Sequence, residues 1–358
     1  MAESIDLETV MSAFCRNIMC DLYMNIDSNE MQLAETLFEK KCAKSIRDLN
    51  SQKNASHSET SICHCLQTVA QFILDLTYIE ECKLVDTEFP PDSFPRVSYI
   101  LDTLSSIEHL AKKVMPNKEP IEVLLSEIIE CIRWRKGALL YMYCHTLNSP
   151  SQAPNFPTHY QKCLEDGIDQ LKWMLCTRSS PKWLLDLSMD DSEKVPDLEE
   201  DSDFLSSQGI LSDTHLLALM YCGELCYWHT EAVNKGLFTT DQTTDEKIPE
   251  EVKQGEDTLC ASPIEPNQRL SPIDDNSVKA NKGSDCECSD ASSAVNEIEK
   301  RQSDSLECCN VTSDIKKVGQ ACMEMYITVA NGPMAPGGWS TERAEEILQF
   351  FTAGKPGS

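Results

Sequence analysis

Apolar residues recur along this chain at steps of three and four, the period of a helix with one buried face. Ile62, Leu66, Val69, Ile73 and Leu76 form one such stripe, which Pro90-Pro91 brings to a stop. A second stripe runs through Ile121, Leu124, Leu125, Ile128, Ile129 and Ile132. Pro120 suits its first turn, where a missing N–H costs nothing. Past Gly137 the segment ALLYMYC, Ala138 to Cys144, is apolar all the way round, the pattern of a helix buried on every side. Tyr160 to Leu175 is amphipathic and closes before Pro181. Leu211 to Lys235 carries boundary signals: Ser212 as N-cap, Leu211 and Leu216 as a hydrophobic staple, and Gly236 as the C-terminal cap. Alternating β-branched runs bounded by turn pairs are absent, so the pattern predicts an all-α fold, a single helical bundle or array.

One stretch breaks this pattern. From Thr239 to Thr312 there is no Phe, Tyr or Trp, and 17 Asp and Glu stand against 7 Lys and Arg, a net of −10. Such a segment cannot bury enough apolar surface to offset its ordering entropy, which predicts a long acidic disordered insertion. A smaller acidic loop is expected at Met189 to Asp203. Helical spacing returns in Val318 to Val329 and in Ala344, Ile347, Leu348 and Phe351. A lone final helix is marginal in water. The expected organisation is therefore a helical core over 1–238, the insertion over 239–312, and C-terminal helices over 313–352 packing back on the core.

The chain of 358 residues has a formal charge of −28. Nucleic acid and anionic membrane both need a basic footprint, so neither is expected as a direct partner. The N-terminus, MAESIDLETV, lacks the basic-then-apolar layout of a signal peptide, and no uncharged apolar run approaches a membrane span. A cytoplasmic location follows, with the 18 cysteines reduced.

Candidate chemistry is sparse. No GxSxG elbow, P-loop or GxGxxG after a strand is present, so no catalytic residue and no cofactor is expected. Cys63 and Cys65 lie two apart and face away from each other on a helix, which suits packing better than a shared ion. His215, Cys222, Cys226 and His229 lie along one stripe and carry the alternative of a helical metal-binding protein or enzyme. Cys222 and His229 are about 10 Å apart along that helix, at 1.5 Å per residue, too far for one tetrahedral ion. The expected metal ligand set is therefore none.

The basic step Arg133-Trp134-Arg135-Lys136 is the candidate partner interface, since Arg and Trp are enriched at binding hot spots. Its structural alternative is pairing with carboxylates, Glu130 being one helical turn before Arg133. Phe350-Phe351-Thr352-Ala353, behind Glu342, Glu345 and Glu346, is similar to the FFAT peptides that dock on VAP proteins, a second alternative that needs an extended exposed tail. Ser262-Pro263 and Ser271-Pro272 make Ser262 and Ser271 candidate phosphorylation sites.

Three blocks carry a family resemblance: QFILDLTYIEECKLVDTEFP (Gln71 to Pro90), ECIRWRKGALLYMYCHTL (Glu130 to Leu147) and ILSDTHLLALMYCGELCYW (Ile210 to Trp228). With the ending EEILQFF (Glu345 to Phe351), they resemble the Rab-interacting subunits associated with the Mon–Ccz complex, the nucleotide-exchange factor of the late-endosomal Rab GTPase. The resemblance implies a non-enzymatic adaptor whose partners are that GTPase and the Mon–Ccz exchange complex. It would support Rab recruitment to damaged mitochondria in mitophagy, from the cytosol, through its partners. The family offers no catalytic residue to carry over. The first sixty residues and the length of the insertion depart from its pattern.

Overall fold

The computed structural model describes residues 7–23, 28–51, 59–149, 156–178, 184, 210, 212–238, 315–332 and 338–353. Among them every regular element is a helix, as the stripes predict. These are α1 (Leu7–Tyr23), α2 (Ser28–Phe38), which runs through a π-turn (Glu39–Ala43) into α3 (Lys44–Ser51), then α4 (Glu59–Asp86) and α5 (Phe94–Val114). The short α6 (Pro120–Leu124), α7 (Ser126–Leu147), α8 (Tyr160–Cys176) and α9 (Asp213–Asn234) follow, then α10 (Ile315–Ala330) and α11 (Glu342–Thr352). The insertion expected at 239–312 and the loop expected at Met189 to Asp203 lie outside the described residues.

Helix α7 is the centre. Ala138, Leu139, Leu140, Tyr143 and Cys144 are all buried, as an all-round apolar segment requires. It contacts α4, α5, α6, α8 and α9. The N-terminal helices cover the far side of α4: Phe38 meets Phe72 edge-on at 5.7 Å, and the Cys65 thiol lies 3.3 Å from the Met11 sulfur. α4 is long and apolar enough to cross a membrane by length and composition, although Asp75 interrupts its uncharged run. Half of its most apolar window is buried within the protein.

The helix expected from Pro120 is two helices. Glu119 and Glu122 form a reciprocal capping box around Pro120, and the short α6 ends at Leu124. Leu125 then takes φ 75°, ψ 151°, between Ile121 O, which accepts its N–H at 3.2 Å, and Ile129 N, which donates to its carbonyl at 3.3 Å. Periodicity alone cannot reveal this break, because Leu125 keeps the apolar spacing while leaving the helical backbone. For a leucine that backbone region costs on the order of 1–3 kcal/mol.

α10 and α11 close the bundle over α9. A Cβ built at Gly223 would stand 1.9 Å from the Met323 terminal carbon, and one at Gly319 would meet Cys226 Cβ at 2.7 Å and the Phe351 ring at 2.5 Å. Glycine at these two crossings is what lets α10 lie so near α9, and it leaves the Phe351 ring seated against Gly319. The C-terminal cap at Gly236 is as expected: φ is +66°, and Leu237 N donates to Ala232 O at 3.0 Å. Ser212 stands at the N-cap position with extended backbone, but its hydroxyl makes no cap bond to the backbone. That hydroxyl sits 2.9 Å from His215 Nδ1 instead. The Leu211 half of the proposed staple lies outside the described residues.

Candidate partner interface

The basic step faces four directions, because successive residues on α7 turn by about 100°. Arg133 donates to Glu108 Oε2 of α5 at 2.8 Å and to Gln170 Oε1 of α8 at 3.0 Å, with its guanidinium 5.5 Å from the Trp173 ring. Trp134 stacks on Tyr221 of α9 at 5.7 Å, the first rung of an aromatic ladder that continues through Tyr141 to Trp228. Arg135 is buried: its Nε donates to Glu81 Oε2 at 3.1 Å, and it also reaches the Leu74 carbonyl of α4. Lys136 donates to Ser105 Oγ of α5 at 2.9 Å, and burial lowers its pKa from the usual lysine range.

Each of these four residues therefore has an internal partner. The carboxylates are Glu108 and Glu81 rather than the Glu130 that sequence spacing suggested; Glu130 is taken by Arg178 at the end of α8. Burial raises the Glu81 carboxyl despite the facing guanidinium. The step thus ties α7 to α4, α5, α8 and α9, with Arg135 buried and Arg133, Trp134 and Lys136 half-buried.

The α9 stripe is dispersed rather than convergent. His215 is 2% exposed, with Ser212 on Nδ1 and Glu130 Oε1 3.9 Å from Nε2; burial, and then the nearby Arg178, pushes its pKa down to about 4. His229 sits beyond, with Nε2 3.4 Å from Glu165 Oε1. Cys222 and Cys226 are both fully buried and are joined by Cys322 of α10, a neighbour that no spacing in α9 could have revealed. Hydrogen bonds from Cys226 and Cys322 lower the Cys222 thiol, while burial raises that of Cys226. Among the described residues no group of three or more His, Cys, Asp or Glu side chains is arranged to hold a metal ion.

Cys63 and Cys65 diverge as helical geometry requires, one toward Met115 and the other toward Met11. His64 is exposed and lines a shallow depression with Lys41, Gln67, Thr68 and Gln71. At the C-terminus, 342–352 is helical and Phe351 is 1% exposed, so the extended tail that VAP docking needs is not formed. Arg343 of α11 instead reaches Glu224 Oε1 of α9 at 2.9 Å, and Tyr141 of α7 donates to the other oxygen of that carboxylate at 2.5 Å. Ser262 and Ser271 lie outside the described residues.

The blocks that suggested a family relation now occupy α4, α7 and α9, the helices that build the core. The family described as RAB7A-interacting MON1-CCZ1 complex subunit 1 matches residues 38–264 and 284–352. This chain belongs to that family. Members of that name from Danio rerio, Mus musculus and Homo sapiens are similar to it. The zebrafish protein is 37% identical over 222 residues, 61% of this chain and 74% of the relative. The mouse protein is 32% identical over 288 residues, and the human protein 31% over 289, each covering 80% of this chain and 77% of the relative. No solved structure matches. The family match begins at 38, so less of the N-terminus departs than the first sixty residues expected. Within the acidic stretch it lapses only between 264 and 284.

Proposed function

We propose that this chain is a non-enzymatic adaptor that binds the late-endosomal Rab GTPase RAB7A and its MON1–CCZ1 exchange complex. It supports recruitment of the GTPase to damaged mitochondria during mitophagy, moving from the cytosol to membranes through its partners. The observation that carries this reading is membership of a family named for those two interactions, over both the N-terminal and C-terminal parts of the helical unit. The polar side chains inside the bundle are consistent with it. Arg135 with Glu81, and Arg343 with Glu224 and Tyr141, are occupied in holding helices together.

The test is direct binding of the purified chain to RAB7A loaded with GDP or GTP, with and without MON1–CCZ1. Saturable binding to either partner is the expected result, and a nucleotide preference places the chain before or after exchange. Binding to neither partner would overturn the reading.

A further inference from the structure

Two apolar side chains at the join of α6 and α7 face solvent one helical turn apart: Ile121 is 41% exposed and Leu125 49%. An isolated exposed leucine is ordinary. Leu125 is not ordinary, because its backbone also occupies a region that glycine alone enters without strain. Its N–H donates to the Ile121 carbonyl and its own carbonyl accepts from the Ile129 N–H, which holds it there from both sides. A glycine would have broken the helix equally well and with no strain. The chain instead carries a strained leucine that gains little burial within the protein.

Charge surrounds the pair. Glu122 adjoins Ile121 and is exposed, and Glu127, two residues past Leu125, is also exposed. Its own backbone N–H, and then the Ser126 hydroxyl, hold the Glu127 carboxyl below the ordinary carboxylate range, so it is ionised at neutral pH. Glu119 adds a third carboxylate, shared with Lys112, and Arg178 Nη1 stands 3.9 Å from Glu127 Oε1, which leaves the rim acidic on balance. An apolar centre with an acidic rim complements an apolar pocket rimmed by cations, and it opposes an anionic lipid surface.

We propose that Ile121 and Leu125, rimmed by Glu122 and Glu127, are the surface that docks into an apolar, Lys/Arg-rimmed pocket on a partner protein. This rests on the adaptor reading above and says where on the bundle the partner sits. The strained conformation presents Leu125 outward in advance, so binding need not order it.

The experiment measures affinity of the full chain for RAB7A and for MON1–CCZ1, with melting temperature recorded for every variant. Leu125→Gly removes both the side chain and the strain. It is expected to weaken binding to one partner about tenfold or more, as a hot-spot residue does, while melting stays level or rises. Ile121→Ser is expected to weaken the same interaction. Glu122→Lys with Glu127→Lys is expected to slow association with that partner and to reverse its salt dependence. Wild-type binding that persists within twofold in all three variants overturns this surface and leaves the adaptor reading standing. If the wild-type chain binds neither partner, the adaptor reading falls and this surface falls with it.

Discussion

Arg135 of α7 and Glu81 of α4 face each other with side chains only 9% and 10% exposed, Nε to Oε2 at 3.1 Å. Fifty-four positions separate them in sequence, and the pair fixes how the two core helices slide against one another. Removing one partner of a buried pair strands the other charge, which typically costs about 3–5 kcal/mol. Glu81→Ala is therefore expected to lower the free energy of unfolding by that order, read as a fall in the urea midpoint at unchanged m. The double change Glu81→Leu with Arg135→Met is expected to recover most of the loss. A double variant no more stable than Glu81→Ala would show that the pair is not what holds α4 on α7.

His215 gives the protein an acid limit. Its pKa is about 4 in the fold against 6.5 unperturbed, so the unfolded chain takes up the proton more readily. The contribution to stability is fully present above about 6.5 and is lost as pH falls toward about 4. A shift of this size corresponds to roughly 3 kcal/mol by linkage. Denaturation midpoints measured between pH 7.5 and 4 are expected to fall less steeply for His215→Gln than for the wild type. Parallel slopes for the two proteins would assign the acid sensitivity to other groups.

The crossing of α9 and α10 is sensitive to one methyl group. A side chain at Gly319 would meet the Phe351 ring and Cys226 Cβ. Gly319→Ala is expected to destabilise by about 1–3 kcal/mol through overpacking. It should also displace α11, read as faster backbone hydrogen exchange in 342–352 than in α7.

Proteolytic cleavage within 239–312 is expected to leave two fragments that co-purify. The contacts of α10 and α11 with α9 bury Met323, Phe351, Cys322 and Ile347, an apolar area that does not depend on the intervening chain. Fragments that separate on gel filtration would show that the covalent connection is needed.

How far the sequence reached differs between neighbouring residues. The stripe from Ile62 to Leu76, the all-round apolar run after Gly137 and the Gly236 cap all specified their local structure, because periodicity and backbone restriction act within a few residues. The family was equally legible, since three long blocks supply the core helices themselves. Trp134 and its neighbours were legible as a cluster but not by destination. Only packing directs Arg133 to Glu108, Trp134 to Tyr221, Arg135 to Glu81 and Lys136 to Ser105. Cys322 likewise meets Cys222 across a hundred residues of chain. Leu125 shows the limit most plainly. Its side chain obeys the helical stripe, yet its backbone leaves the helix and its side chain points outward, because conformation at a helix join is decided by the capping of α6 and the packing of α7 rather than by the residue's own preference. The sequence by itself determined most helices, the Gly236 cap, charge and kinship. The tertiary structure decided which cations are consumed internally and which apolar residues stay exposed, since both depend on groups far apart in the chain.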